Sequence, residues 1–263
     1  MRLLLALAVG VATALVAAPA HAGTAYKVSL SVSATTLDYG KTLTLSGSVS
    51  PKAAGAKVTI QRRVGSGSWK SITTRTLSST SRYSYAVKPG PGVVGYRVIK
   101  SRSGSHATGI SSTRTVSVYR WRYLADLPTA SATSMTTGTF TLNNSFDTAT
   151  TRSYAKSVRL LSGGFGQWSL VGLHCRLFQS STGVDATNPS TSAVFTAQYA
   201  IYYPVTGNGY YDKGVAADQF PRDAYIRMAS DVEAINLSTY RSDSVPDVVD
   251  AVVFGSARVN CAS

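Results

Sequence analysis

Apolar residues recur at every second position in short runs along most of this chain, and that period leaves few options beyond sheets packed face to face. Val28, Leu30 and Val32 alternate with Ser29, Ser31 and Ser33, and Leu43, Leu45 and Val49 repeat the pattern after a turn at Asp38-Tyr39-Gly40. Successive side chains of a strand point to opposite faces, so such runs build half-buried strands. Similar runs occupy 57–62, 69–73, 82–87, 94–100 and 113–118, separated by Gly, Pro and Ser. Beyond them the pattern predicts strands over 139–142, 157–161, 167–171, 174–179, 194–203, 224–228, 234–237 and 252–259. Over 174–179 it puts Cys175, Leu177 and Gln179 on one face; over 194–203 it turns Phe195, Ala197, Tyr199, Ile201 and Tyr203 inward. Helical spacing is weak, with one turn expected at 245–251. The fold class expected is all-β.

Charge divides the chain. Between residues 23 and 122 there are sixteen Lys and Arg and one acid, Asp38, whereas 123–263 holds nine bases and eleven acids. An asymmetry of this size predicts two modules with different surroundings. The stretch Val-Tyr-Arg-Trp-Arg-Tyr-Leu-Ala-Asp-Leu-Pro, from Val118 to Pro128, marks the change, and Trp121, Tyr123, Leu124 and Leu127 are expected to seal the seam. Ahead of these modules, Arg2 precedes an apolar run over 3–18 and then Pro19-Ala20-His21-Ala22, the small-x-small pattern read by signal peptidases. The run is short for a membrane span. The division expected is a signal peptide at 1–22, a basic domain at 23–118, a short aromatic linker at 119–127 and a second domain at 128–263. The mature chain is expected to be secreted or associated with the cell wall, with no transmembrane segment after cleavage.

Both cysteines, Cys175 and Cys261, lie in the second half, and an exported chain keeps such a pair oxidised. His174 is a poor base for Cys175 because strand neighbours face opposite ways. A disulfide is the expected state.

Seven short strands in the first module argue for an immunoglobulin-like sandwich, and the absence of cysteines there excludes the antibody type. The order Leu43-Thr44-Leu45-Ser46-Gly47-Ser48-Val49-Ser50-Pro51, then Lys57-Val58-Thr59-Ile60-Gln61-Arg62-Arg63, Trp69, Arg82-Tyr83 and Tyr96-Arg97-Val98 resembles the immunoglobulin-like domains of secreted Gram-positive proteins. That resemblance implies a spacer or adhesive unit. In the second module, Tyr123-Leu124-Ala125-Asp126-Leu127, Tyr154-Ala155-Lys156-Ser157, Gly172-Leu173-His174-Cys175, Gly183-Val184-Asp185 and the closing run from Asp250 to Val259 are similar in order to the NPCBM family of carbohydrate-binding modules. The resemblance implies a jelly roll of the galactose-binding kind and sugar binding. Ala186, Ala251, Val253 and Phe254 stand where the family pattern has further polar residues and a Trp.

Sugar sites combine aromatic platforms with amides or carboxylates. The segment 199–212 carries five tyrosines, of which Tyr202, Tyr210 and Tyr211 are the expected platform, with Gln198, Asn208 and Asp212 beside them. Trp168 is a further platform candidate, while Trp69 is read as core. In the basic module, Lys27, Lys57, Arg97 and Arg114 alternate with apolar residues, so their heads are expected on solvent faces as a site for anionic wall polymers. No sequence-specific nucleic-acid signature, Gly-x-Ser-x-Gly elbow or phosphate loop is present. Asp243, Asp247 and Asp250 match no calcium-loop spacing. Asp212, Asp218, Asp223 and Glu233 supply carboxylates for glycoside hydrolysis without singling out a pair. No cofactor or metal is expected. The leading expectation is a secreted, non-catalytic protein that binds a glycan or cell-envelope glycopolymer; the alternative is an adhesin or scaffold without sugar binding.

Overall fold

The computed structural model describes residues 23–142, 151–187, 194–204, 207, 209–216, 221–229, 231–241 and 251–263; the side chains of 194, 212–216 and 241 are not among what is described. The expected leader at 1–22 lies outside these residues, as does the expected turn over 245–251 except for Ala251, which is in strand. The fold is all-β, as the alternation demands, with eighteen strands and one 3₁₀ turn among the described residues.

The first sandwich pairs two sheets. One consists of β1 (Lys27–Val28), β2 (Ser31–Val32), β4 (Leu43–Ser50) and β7 (Arg82–Val87), with β4 at its centre. The other runs β6 (Lys70–Thr76), β5 (Lys57–Val64), β8 (Gly92–Lys100), β10 (Arg114–Tyr123), with β3 (Thr36–Asp38) parallel to β10 and the short β9 (Gly109–Ile110) against β8. Inward positions of both sheets meet in one core that includes Leu43, Leu45, Val58, Ile60, Tyr96, Val98, Val116 and Val118. Burial drives this, at roughly 25 cal/mol per Å² of apolar surface removed from water.

The expected break after Val118 does not occur. β10 continues five residues further as strand, and its last four, Arg120 to Tyr123, pair antiparallel with the end of β18 (Ala251–Cys261). The segment expected as a linker is thus largely a strand, because Tyr119 still pairs with β3 and the backbone groups of 120–123 find partners on the neighbouring sandwich instead of water. A 3₁₀ turn at Leu124–Asp126 then drops Leu124 and Leu127 into a second core.

That second core lies between two sheets. The first comprises β15 (Gly209–Ala216), β14 (Val194–Tyr202), β17 (Ala234–Arg241) and the late part of β12 (Arg152–Ser169). The second holds the early part of β12, then β18, β13 (Cys175–Val184) and β16 (Arg222–Arg227). β12 therefore changes sheets, pairing with β18 over 158–161 and with β17 over 165–169. Gly163, at φ +72°, supplies the left-handed backbone at this corner, and β11 (Thr129–Leu142) follows β12 with shifts of register around it. Phe195, Ala197, Tyr199 and Ile201 are fully buried, as alternation predicts, and Trp168 fills the same core.

On β13 the expected face is wrong. Cys175 is opposite Cys261 and Leu177 is opposite Asn260, which leaves Arg176 as an extra, bulged residue. The bulge flips the alternation, so Phe178 is buried while Leu177 and Gln179 stay partly exposed on the outer side. Cys175 and Cys261 are bonded, which removes Cys175 as a nucleophile. Closing a loop of 86 residues stabilises a chain by about 4 kcal/mol in the entropy account.

Two measurements check this packing. Replacing both cysteines by Ala is expected to lower unfolding stability in denaturant by about 4 kcal/mol. Burial pushes the Tyr96 phenol up to about 12, against the opposing pull of the Arg62 charge, and its hydroxyl has no hydrogen-bond partner among the described residues. From about pH 10 up to about 12 the phenol ionises in the unfolded chain but not in the folded one, so stability falls as pH rises through that window, with no pH dependence from this group below it. Tyr96→Phe is expected to flatten this alkaline loss and to raise stability at neutral pH by about 1 kcal/mol, since an unsatisfied donor disappears.

Candidate functional site: a tyrosine-rimmed depression

The outer face of the sheet β12–β17–β14–β15 is where polar and aromatic side chains meet. Backbone register sets Gln198 opposite Ser238, Ala200 opposite both Tyr210 and Asn236, and Phe165 opposite Ser238. Directly opposed residues share a face. Together with the Gly163-Gly164 corner they enclose a shallow depression of about 330 Å³ that also takes in Tyr202 and Tyr240. Ala200 is the small residue at its middle, so the tyrosines stand around it as a rim.

Tyr210 and Tyr240 are more than half exposed, an uncommon state for side chains of this size, while Tyr202 is partly covered. The Tyr240 hydroxyl donates to Gln198 Oε1 at 3.3 Å. Desolvation raises the Tyr202 phenol above its ordinary value, and the neighbouring phenols of Tyr210 and Tyr240 add to the rise. Three phenol heads therefore stand close to one another over a floor of amides and hydroxyls.

Of the three expected platform residues, Tyr202 and Tyr210 line this depression and Tyr211 does not. Tyr211 is opposite Tyr199, whose side chain is in the core, so strand alternation sends it to the other side from Tyr210. Tyr240 takes the third place. Its alternating run, Asn236, Ser238, Tyr240, continues three residues past the end expected for that strand. Asp212 falls opposite Gln198 in register, but its side chain is outside the described residues, as is Asn208. Trp168 is a correction: fully buried, it offers no face to a ligand.

The basic candidates are distributed over both sheets of the first sandwich. Lys27 is exposed on β1, Lys57 is exposed on β5 and Arg97 is partly covered on β8. Arg114 is exposed too, at the margin of its sheet. In register it is opposite buried Tyr96, and its Nε donates to the Leu30 carbonyl at 3.0 Å, which ties its stem to the first sandwich. Trp69, read as core, instead lies partly exposed, with the guanidinium groups of Arg97 and Arg63 at 4.3 and 4.9 Å from its ring centroid. Arg97 Nε also donates to Gln61 Oε1 at 2.9 Å.

Among the described residues no three His, Cys, Asp or Glu side chains gather as a metal site. Asp218, Asp243, Asp247 and Asp250 lie outside the described residues. Asp223, on β16, accepts from Ser181 Oγ at 2.5 Å, and Glu233 directly precedes β17 in the opposite sheet. Asp185 is buried and structural: it accepts from Arg159 Nε at 2.5 Å and from the Thr187 amide and hydroxyl. Ala251, Val253 and Phe254 are fully buried on β18 and pack the interior.

No known protein family and no curated protein matches the chain. Among solved structures it is similar to a CBM51 module from a Clostridium perfringens GH95 protein in complex with methyl-galactose, at 18% identity over 53% of this chain and 99% of that one, with a TM-score of 0.45. It is similar to the CBM51-2 and INT domains of Clostridium perfringens ZmpB at 16% identity and a TM-score of 0.45, covering 66% of this chain and 38% of that longer one. Tandem CBM51 modules of Streptococcus pneumoniae Sp3GH98 match at 12% identity over 84% of this chain and 81% of theirs, again with a TM-score of 0.45. The functional reading rests on the chain's own residues.

The clustering of phenols is open to direct measurement. Tyr240→Phe is expected to move the Tyr202 titration back toward the ordinary tyrosine value in NMR-detected pH series, whereas Tyr211→Phe leaves the depression unaltered.

Proposed function

We propose that this chain is a non-catalytic binding protein whose second sandwich holds a carbohydrate in the tyrosine-rimmed depression. The observation that carries the reading is the convergence of Tyr202, Tyr210 and Tyr240 with Gln198, Asn236 and Ser238 on one concave patch. Aromatic faces accept the C–H side of a sugar ring, and amide and hydroxyl groups exchange hydrogen bonds with its hydroxyls. The tyrosines are already ordered by strands, so little conformational entropy is lost on binding.

Around this site the rest of the chain takes supporting roles. Residues 23–118 form an immunoglobulin-like domain whose excess of Lys and Arg attracts anionic envelope polymers over the ~8 Å reach of charge at physiological salt. Residues 128–263 form the jelly-roll domain, joined through 119–127. The disulfide suits an oxidising, extracellular compartment. Among the described residues no helix is long and apolar enough to cross a membrane.

The test is a glycan array of neutral oligosaccharides probed with the whole chain, followed by calorimetry on the best ligand. Tyr240→Ala and Tyr210→Ala are each expected to weaken binding at least tenfold without moving the thermal midpoint. Failure of the unaltered protein to retain any neutral glycan, or binding by both variants equal to that of the unaltered protein, contradicts the proposal.

A further inference from the structure

Among the described residues, five of the eight large apolar or aromatic side chains left exposed are tyrosines: Tyr39, Tyr210, Tyr211, Tyr225 and Tyr240. Tyr210 and Tyr240 belong to the depression. Tyr39 and Tyr225, 60% and 59% exposed, come from different sandwiches, yet they line one cleft of about 710 Å³ at the seam. Tyr119, Trp121, Leu177 and Arg176 line it with them. A cleft of this volume matches a small-molecule or single-sugar site.

Each rim residue is held by backbone structure. Tyr39 follows β3 directly and its amide donates to the Tyr119 carbonyl at 2.7 Å. Tyr225 is on β16 opposite Gln179, facing the outer side. Arg176 is the bulged residue of β13, re-aimed toward the seam by the extra residue. Its guanidinium lies 4.0 Å from the Tyr119 ring centroid, donates from Nε to Asn260 Oδ1 at 2.6 Å and from Nη2 to Asp38 Oδ1 at 2.6 Å. Nη1 has no partner among the described residues. The pair with Asp38 opens to solvent, since Asp38 is 61% exposed.

This is an oriented cation beside two idle aromatic faces, next to a domain with a large excess of positive charge. Asp38 is the one acid among the residues lining the cleft, and it is already bonded. A neutral sugar leaves the guanidinium unused, and a polyphosphate leaves the tyrosine faces unused. A ring that carries a carboxylate uses both, because guanidinium and carboxylate match in planar geometry.

We propose that the seam cleft binds a hexuronate unit of an acidic polysaccharide, with its ring against Tyr39 and Tyr225 and its carboxylate on Arg176. The site has a different chemistry from the depression and shares no residue with it. Because the two tyrosines come from different sandwiches, a bound hexuronate also ties the sandwiches together.

Calorimetry on the whole chain with trimers of galacturonate and mannuronate, and with a hyaluronan oligosaccharide, tests the idea. At least one is expected to bind, and its carboxyl-reduced counterpart to bind at least tenfold more weakly. Tyr225→Ala and Arg176→Gln are each expected to lose at least tenfold, while Tyr240→Ala binds as the unaltered protein does. Tyr225 is exposed, so its variant keeps the test valid if Arg176→Gln loosens the seam. Absence of binding to all three, equal binding of the reduced trimer, or indifference to Tyr225→Ala overturns the proposal. Competition by inorganic polyphosphate that is likewise indifferent to Tyr225→Ala means the cleft reads charge alone and also overturns it. A neutral-glycan result that fails at the depression leaves these outcomes unaffected.

Discussion

The backbone of β10 has hydrogen-bond obligations along all its length, and it meets them on two different sandwiches. Residues 114–118 pair with β8 and β3, and Arg120 to Tyr123 pair with β18. Side-chain alternation completes the join. Tyr119, Trp121 and Tyr123 share one face of β10, and each receives a cation from the second sandwich: Arg176 at 4.0 Å, Arg258 at 4.8 Å and Lys156 at 5.4 Å from the ring centroid. Such stacking contributes roughly 0.5 to 1 kcal/mol per pair at exposed positions. Asp38 of β3 adds the ion pair with Arg176, and the disulfide fastens β13 to the part of β18 on which β10 docks.

The consequence is a molecule with two interiors and one spine. The core of the first sandwich ends at Val118 and that of the second begins at Leu124, with the five intervening residues in strand. Both proposed ligand sites follow from irregularities in otherwise regular sheets. The Gly163-Gly164 corner, where β12 leaves one sheet for the other, forms a wall of the depression. The bulge at Arg176 aims a guanidinium into the seam. Regular strands supply the rigid floor, and single-residue departures re-aim the polar groups.

Much of this was legible in the alternation alone. The inward set of β14 needed only a period of two, and the cysteine pairing needed only compartment and count. What escaped did so for physical reasons. A bulge has no signature in a period of two, so the face of Leu177 and Gln179 was inverted. Proximity in sequence groups Tyr211 with Tyr210, whereas neighbours in a strand part to opposite faces. The size of Trp69 favours burial, yet Arg63 and Arg97 cover its ring in the open. The short β3 and β9 are too brief to display alternation, and β15 is rich in Gly, Tyr and charged residues. The Tyr-Arg-Trp-Arg-Tyr alternation at 119–123 is itself a strand signal, masked by the change of charge at the same place.

The central claim is that β10 is a continuous structural strand, and amide hydrogen exchange across 114–123 tests it most directly. Protection over 119–123 comparable to that over 114–118 is the predicted result. Exchange over 119–123 at the rate of an open linker, with protection confined to 114–118, contradicts it.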